Sequence, residues 1–179
     1  MTDIRESRVA LVVVKVKIHG KPYFLMRKNR VWGDVTFIGG HTNDRDAGML
    51  HRAAYRELLE EVPPLRSARG IQVKPLTPQL HHGPVDSPSA RSTVIYDLQF
   101  FLAVFASTPE KLIASLTPRS ENVLVAEEEL LQPNRYKIAT LVQILDDNYA
   151  GGLSEIPYSW SGDLRSVQNH VAQPALAFN

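Results

Sequence analysis

The stretch Arg56-Glu57-Leu58-Leu59-Glu60-Glu61 combines an arginine and three carboxylates in a sequence that favours a helix. In a helix with about 100° per residue, the side chains of Glu57, Glu60 and Glu61 share one face. The neighbouring arc is apolar, so the helix can dock on a core with the carboxylates along its margin. Clustered carboxylates repel one another unless a cation neutralises them, and Mg²⁺ is usually held by a few carboxylates, phosphates and water. The stretch therefore predicts a metal site, against the alternative of a solvated helix face.

A glycine pair and a polar turn precede this helix. Gly39-Gly40 follows an extended apolar stretch, residues 35–38, and the polar turn leads from the glycines to the helix. With this pair, the sequence resembles the Nudix hydrolase family, whose signature runs from a glycine through an acidic residue to Arg-Glu-hydrophobic-x-Glu-Glu. The resemblance implies an α/β protein, a Nudix-type α/β/α sandwich with a mixed β-sheet, in which the glutamate helix lines one side of a cleft.

The polar turn and the end of the helix depart from the family signature. The turn is two residues longer than the family spacing, so Gly48 stands where the family has its upstream glutamate. Asp44 or Asp46 could take that role as the partner of Arg56, and both also stand where a helix N-cap is expected. The chain then continues as Val62-Pro63-Pro64 in place of the family's glycine, which ends the helix abruptly.

The resemblance also implies the metal ligands and the catalytic residues. The implied ligands are three carboxylates and one backbone carbonyl, those of Glu57, Glu60, Glu61 and Gly40. We expect Mg²⁺ as the cofactor, with Mn²⁺ as an alternative ion. Arg56 is implied to orient the acidic turn against the helix. Family members commonly supply a further glutamate before a late strand, as ligand or base, and Glu121 is the first acid in that position. Residues 127–129 are competing glutamates, although they read more like the start of a helix.

Basic and aromatic residues near the glycine pair are the candidate substrate contacts. Arg27, Arg30 and Trp32 suit stacking on a base and pairing with phosphate, while surface solubility explains the arginines about as well. The resemblance thus implies a Nudix pyrophosphohydrolase that cleaves the phosphoric anhydride of a nucleoside diphosphate linked to another moiety. We expect ADP-ribose or a related dinucleotide as substrate, with nucleoside triphosphates next. The alternative is a regulatory Nudix domain that binds a ligand with little or no catalysis.

Composition limits the other classes of function. Twenty basic and nineteen acidic residues leave a formal charge of +1, so nucleic acid is not expected as a partner. The chain has no cysteine, which excludes disulfides, thiolate metal sites and a cysteine nucleophile. Without an apolar signal region or a long apolar run, we expect a cytoplasmic protein without membrane contact. A homodimer is compatible with the sequence.

The pattern along the chain predicts the remaining elements. Residues 8–18 and 23–27 read as a hairpin, residues 71–80 as an edge strand, residues 81–91 as a loop and residues 92–106 as a central strand. An amphipathic helix is expected over residues 135–146. We expect residues 1–146 to form the Nudix domain, and residues 147–179 to be a C-terminal extension packed on it. Within that extension Trp160 could cover the core, act as a lid or contact a second copy.

Overall fold

The longest strand crosses the centre of the molecule. In the computed structural model, which describes residues 4–87, 91–117 and 119–165, strand β8 is Ser92–Phe105. Its apolar side chains alternate between two buried clusters, with Phe101 in one and Phe100 in the other. A strand that is apolar on both faces has to be covered on both, so the prediction of a central strand over residues 92–106 is confirmed.

Strand β8 belongs to a five-stranded mixed sheet. The other members are β1 (Ile4–Val13), β5 (Ile38–His41), β6 (Ile71–Pro75) and β7 (Leu80–Ser87). Strand β1 runs parallel to β8 and antiparallel to β5, while β6 and β7 pair antiparallel with β8. Strand β6 is an edge strand, as predicted, but it ends at Pro75 and does not extend over residues 71–80, since Leu80 begins β7.

A second, antiparallel sheet is built around β3. Its strands are β2 (Lys15–Ile18), β3 (Lys21–Asn29), β4 (Asp34–Thr36) and β9 (Asn122–Ala126). Strand β3 pairs with each of the other three. Of the predicted hairpin between residues 8–18 and 23–27, only the part from Lys15 onward is present, as the pair β2 and β3.

Helices cover both faces of the mixed sheet. They are α1 (Leu50–Glu61), α2 (Glu110–Ser115), α3 (Glu127–Leu131) and α4 (Thr140–Asn148). Helix α1 buries Ala54 and Leu58 in the cluster on one face, and α4 buries Val142 and Leu145 in the cluster on the other. The fold is therefore an α/β/α sandwich with a mixed sheet, as the sequence predicts. None of the helices in the described part of the chain is long and apolar enough to cross a bilayer.

Two predicted strands are divided between the sheets. Residues 8–18 do not form one strand, because the chain leaves the mixed sheet at Val14 and continues as β2 in the second sheet. Residues 35–38 are divided in the same way, with β4 ending before Phe37 and β5 beginning after it. Val14 and Phe37 are themselves buried, so the apolar pattern runs unbroken through both transfers and does not mark them.

The predictions for residues 81–91 and 135–146 are also corrected. Residues 80–87 form β7 and not a loop, because the ladder to β8 tolerates a register shift between His82 and Val85 where Gly83-Pro84 interrupts it. Helix α4 begins at Thr140 because the preceding residues extend along β4. There the Val35 amide donates to the Lys137 carbonyl at 2.9 Å, and the Ala139 amide donates to the Val35 carbonyl at 3.0 Å.

The described part of the C-terminal extension packs on the same core. Leu153 and Ile156 join the cluster beside α4, and Leu164 joins the cluster beside α1. Trp160 packs against the α1 cluster, which agrees with core cover. Residues 166–179 lie outside the described part of the chain, and the division of domains at residue 146 stays a prediction.

A buried lysine fastens this segment to the strands. The Lys15 ammonium donates to the carbonyls of Leu153 at 2.9 Å and Ser154 at 3.2 Å, and it lies 2.8 Å from a carboxylate oxygen of Glu127. It also lies 5.2 Å from the centre of the Tyr158 ring. A buried charge is tolerated only when it is paired in this way, so one cation holds α3 and the C-terminal segment together.

We expect Lys15→Met to lower the free energy of unfolding by about 3 kcal/mol, because it leaves Glu127 without its cation in a buried site. Urea denaturation measures this loss, and adding Glu127→Gln should recover part of it. Lys17→Met is the matched control, since Lys17 contacts the Tyr158 ring at 4.8 Å but is not fully buried. Equal losses in the two single variants would contradict the role given to Lys15.

Candidate active site

Helix α1 carries its glutamates beside a cleft of about 530 Å³. The helix begins after Met49, which has no side-chain cap, so the prediction that Asp44 or Asp46 caps it is wrong. A separate 3-10 turn, Asp44–Asp46, intervenes, and Gly48 reverses the chain with a positive φ before the helix starts. At the other end, Asn122 Nδ2 donates to the Glu61 carbonyl at 2.8 Å and satisfies a group that the helix end leaves free.

Arg56 is the hub of this region. Its Nη1 donates to Glu57 Oε1 at 2.7 Å and to Glu60 Oε2 at 3.1 Å. On its other edge, Nε and Nη2 donate to the two carboxylate oxygens of Asp46, and Nη2 also reaches the His41 carbonyl at 2.9 Å. A planar guanidinium suits such two-pronged pairing with a carboxylate. The side chain therefore ties the polar turn to the helix and orients two of the glutamates.

Asp46 takes the place of the upstream acid in the turn. It is buried, and it also accepts from the Asn43 amide at 2.9 Å, while Asp44 is exposed. The hydrogen bonds from Arg56 hold the pKa of Asp46 below its ordinary value, and the same contact raises the pKa of Arg56. The sequence left Asp44 and Asp46 open because either can be reached from the helix by a turn of unknown shape. The 3-10 geometry is what turns Asp46 inward.

Glu61 is the most buried glutamate of the helix. Its side chain is 9% exposed, against 13% for Glu57 and 50% for Glu60. Glu61 Oε2 accepts from the Gly39 amide at 3.0 Å, and Oε1 pairs with Arg27. Burial raises the pKa of Glu61 to about 7, although the Gly39 amide and Arg27 act in the opposite direction. A second cation beside Glu61 would stabilise the ionised form of this carboxylate, which burial disfavours.

Arg27 and Glu121 form the opposite wall of the cleft, and Arg30 lies beside Glu121. Arg27 Nη2 lies 3.5 Å from Glu121 Oε2, and Arg30 Nε lies 3.7 Å from Glu121 Oε1. Glu121 is half exposed, and it lines the cleft together with Arg27 and the three glutamates of α1. The structure thus brings Glu121 to the helix glutamates, and it places Arg27 between Glu61 and Glu121. Arg30 lies at the rim and is largely exposed.

Gly40 lies directly against Glu57. A Cβ placed on Gly40 would lie 2.6 Å from Glu57 Oε1, so a larger residue at this position would push the end of the Glu57 side chain aside. The resulting donor set consists of hard carboxylate oxygens and a nearby backbone, which fits Mg²⁺ or Mn²⁺ in kind. Within residues 4–87, 91–117 and 119–165, however, no three acidic or histidine side chains are arranged as a ready metal cluster. Arg56 and Arg27 hold the carboxylates instead, so a cation would have to displace those contacts.

Trp32 lies at a second cleft, on the other side of Gly40. This cleft has a volume of about 580 Å³, and Trp32, Gly39 and Gly40 are among its lining residues. The Asn29 side chain accepts from the amides of Val31 at 3.0 Å and Trp32 at 3.2 Å, which fixes the backbone of the loop that carries the indole. The candidate substrate residues Arg27 and Trp32 therefore line two different clefts, and the glycine pair of the second lies against Glu57 and Glu61 of the first.

Replacing Asp46 with Ala should lower the free energy of unfolding by about 3 kcal/mol, because Arg56 would keep its charge in a mostly buried site without its main partner. Asp44→Ala is the matched control, and as an exposed substitution it should cost less than about 0.5 kcal/mol. A double-mutant cycle with Arg56→Ala, followed by urea denaturation, should give a coupling of more than about 1 kcal/mol. Additive losses would mean that the two residues act independently.

The raised pKa of Glu61 predicts a pH dependence of stability in the presence of a chelator. Since the folded chain holds this proton more tightly than the unfolded chain, the contribution is fully present below the ordinary value of 4.5 and is lost as pH rises through about 7. We expect Glu61→Gln to be more stable than the natural chain by about 2 kcal/mol at pH 8, with the difference vanishing towards pH 4. Denaturant midpoints across this range measure it, and a constant difference would contradict the assignment.

No family model and no curated protein matches the sequence. Among solved structures, the chain is similar to Shewanella oneidensis NrtR, with 13% identity and a TM-score of 0.55 over 76% of this chain and 58% of that one. It therefore spans less than two thirds of the length of NrtR. A structure of NrtR complexed with a 27mer DNA gives 14% identity and a TM-score of 0.54, over 76% and 57% of the two chains.

Two further structures resemble the same region. The NUDIX domain of Shewanella oneidensis NrtR, complexed with ADP ribose, has 13% identity and a TM-score of 0.49 over 80% of this chain and 85% of that one. The C. elegans Ap4A hydrolase has 16% identity and a TM-score of 0.50, over 70% and 84% of the two chains. At such identities the likeness is one of fold, and the chain has the Nudix fold that its sequence predicts.

Proposed function

We propose that the protein is a metal-dependent hydrolase of the Nudix type, which cleaves the phosphoric anhydride of a nucleoside diphosphate linked to another moiety. The observation that carries the proposal is that two largely covered carboxylates, Glu57 and Glu61, line one cleft together with Arg27. Such a site offers negative charge to a cation and positive charge to a phosphate. The Nudix fold and the match of residues 56–61 to the family signature support the same activity.

The residues on and beside α1 would bind the metal ion. Glu57 and Glu61 would hold the ion, with Glu60 beside them and the Gly40 carbonyl as a further ligand. When bound, Mg²⁺ or Mn²⁺ neutralises a diphosphate and lowers the pKa of a bound water. Arg56 keeps Glu57 and Glu60 in place through its hydrogen bonds.

The opposite wall would bind phosphate and accept a proton. Arg27 is already within reach of Glu61 and Glu121, so it can exchange a carboxylate for a substrate phosphate without leaving the cleft. Glu121 lies in the same cleft, is open to solvent and is our candidate for the general base. Arg30 at the rim would attract the anionic substrate.

The size of the combined site favours an extended substrate. A cleft for phosphate and a second cleft at Trp32 suit a nucleoside diphosphate with groups at both ends, such as ADP-ribose or a dinucleotide. Nucleoside triphosphates are the next candidates. The expectation that nucleic acid is not a partner stays a prediction, as does cytoplasmic location.

A second candidate function is that of a ligand-binding module with little catalysis. It is favoured by one specific observation, that arginines hold all three helix carboxylates in the described structure. If these ion pairs persist with substrate, a nucleotide would bind without being cleaved. The similarity to NrtR, a protein that has been crystallised with DNA, is compatible with such a role.

The test is a panel of ADP-ribose, dinucleoside polyphosphates and nucleoside triphosphates with Mg²⁺ or Mn²⁺, read out as released monophosphate and pyrophosphate. Glu57→Gln and Glu61→Gln should each lower kcat/KM by roughly 100-fold or more, because each removes a negative charge from the ion site. Glu128→Gln, an exposed change on α3 outside the cleft, is the matched control and should leave turnover unchanged. Tight binding of one compound without turnover of any would favour the binding module.

A further inference from the structure

The cleft beside Trp32 has the dimensions and walls of a small-molecule pocket. Its volume is about 580 Å³, within the range of typical ligand sites. Apolar side chains form much of its wall, among them Leu11, Phe37, Leu98 and Leu141. An apolar slot of this kind suits a flat aromatic group that is polar at its edges.

Two polar atoms in the wall lack a partner. Asp34 Oδ1 and Thr36 Oγ1 are buried and form no hydrogen bond to any described residue. Both residues line the cleft, and they stand two positions apart on β4, so their side chains share one face of the strand. A buried polar atom without a partner is unfavourable, so such a pair points to a missing hydrogen-bond partner.

The backbone holds these two residues in place. Strand β4 pairs with β3 on one side, in the register Asn29 to Asp34, and with Lys137 and Ala139 on the other. The side chain of Val35, between them in sequence, points to the other face of the strand and is fully buried. A strand held on both edges cannot rotate its side chains away, so Asp34 and Thr36 remain directed at the cleft.

Other polar groups of the cleft already have partners. Asp86 Oδ1 accepts from Thr93 Oγ1 at 3.0 Å, and His41 Nδ1 lies 2.6 Å from Ser7 Oγ. Among the described lining residues, Asp34 and Thr36 are thus the ones with a buried side-chain oxygen still to satisfy. A carboxylate oxygen accepts hydrogen bonds, and a hydroxyl can accept or donate. The bound group should therefore present N–H donors, with an acceptor tolerated beside Thr36.

Trp32 supplies a stacking surface at the mouth. Its side chain is 47% exposed, although Asn29 and Lys137 both bind its backbone. A large aromatic side chain on a fixed backbone can stack on a base at little cost in conformational entropy. Gly40, which lines this cleft, lies against Glu57, which lines the cleft with the helix glutamates. The two clefts are therefore neighbours.

We propose that the cleft beside Trp32 binds an amino-bearing purine base, adenine or guanine, through acceptor oxygens on Asp34 and Thr36. Adenine offers its N6 amino group with an adjacent ring acceptor, and guanine offers N1–H and its N2 amino group. Hypoxanthine has a carbonyl where adenine has its N6 amino group, and it lacks the N2 amino group of guanine. It therefore offers fewer N–H donors than either base. This inference rests on the proposed function for its phosphate end, and it deepens that function by naming the base of the substrate.

The test compares the binding of AMP, GMP and IMP by isothermal titration calorimetry in a chelating buffer, where no hydrolysis takes place. We expect AMP or GMP to bind at least about 10-fold more tightly than IMP, since a site built to hydrogen-bond a donor rejects the analogue that lacks it. The tighter of the two identifies the base. Equal binding of all three, tighter IMP or no binding of any would overturn the proposal.

Variants assign the preference to residues. Asp34→Ala and Thr36→Val should each bring the ratio of the dissociation constant of IMP to that of the preferred nucleotide, AMP or GMP, closer to one. Asp34→Asn, which adds an N–H donor, should shift the preference towards IMP. Asp147→Ala, an exposed change on α4 outside the cleft, should keep the ratio. An unchanged ratio in Asp34→Asn and Asp34→Ala, each shown to be folded by circular dichroism, would overturn the assignment. This binding assay needs no turnover, so it is independent of the hydrolysis assay. A base preference without hydrolysis would contradict only the proposed enzymatic activity. Hydrolysis without a base preference would contradict only the proposed base site.

Discussion

The guanidinium of Arg56 joins the polar turn, the end of β5 and the glutamate helix, and the geometry of the site depends on it. Its fork on Asp46 fixes the turn, and its other edge fixes Glu57 and Glu60. The turn is longer than the resemblance to Nudix proteins implies, yet the 3-10 geometry places an acid where Arg56 needs one. Apart from Asp46, residues 43–49 of the turn are exposed, so the extra length lies on the surface.

Arginines balance the negative charges of the helix glutamates. Arg27 and Arg56 take up carboxylates that would otherwise repel, which is the ordinary way to keep clustered acids near a core. At Glu61 the arginine does not offset burial fully, because the pKa of Glu61 is raised despite the nearby Arg27. An arginine that is already needed for phosphate can give up a carboxylate to a divalent ion, so the ion pairs are compatible with catalysis.

The glutamate helix, the glycine pair and the central strand could all be predicted from the sequence, because each depends on local spacing. What could not be predicted depends on tertiary geometry. Continuous apolar residues hide the transfer between sheets at Val14, and a register shift lets Gly83-Pro84 lie within a strand. The pairing of Asp46 follows from a turn that no pattern specifies. Asp34 and Thr36 look like ordinary polar strand residues, and only their burial beside an open cleft sets them apart.

The most direct test of the central claim is a crystal structure of the protein grown with Mn²⁺, with the ion located by its anomalous signal. The account predicts a manganese peak between the carboxylates of Glu57 and Glu61 and the carbonyl of Gly40, with Arg27 turned away from Glu61 and the fork of Arg56 on Asp46 intact. The account would be contradicted if crystals grown with saturating Mn²⁺ showed no manganese peak at these carboxylates and Arg27 remained paired with Glu61.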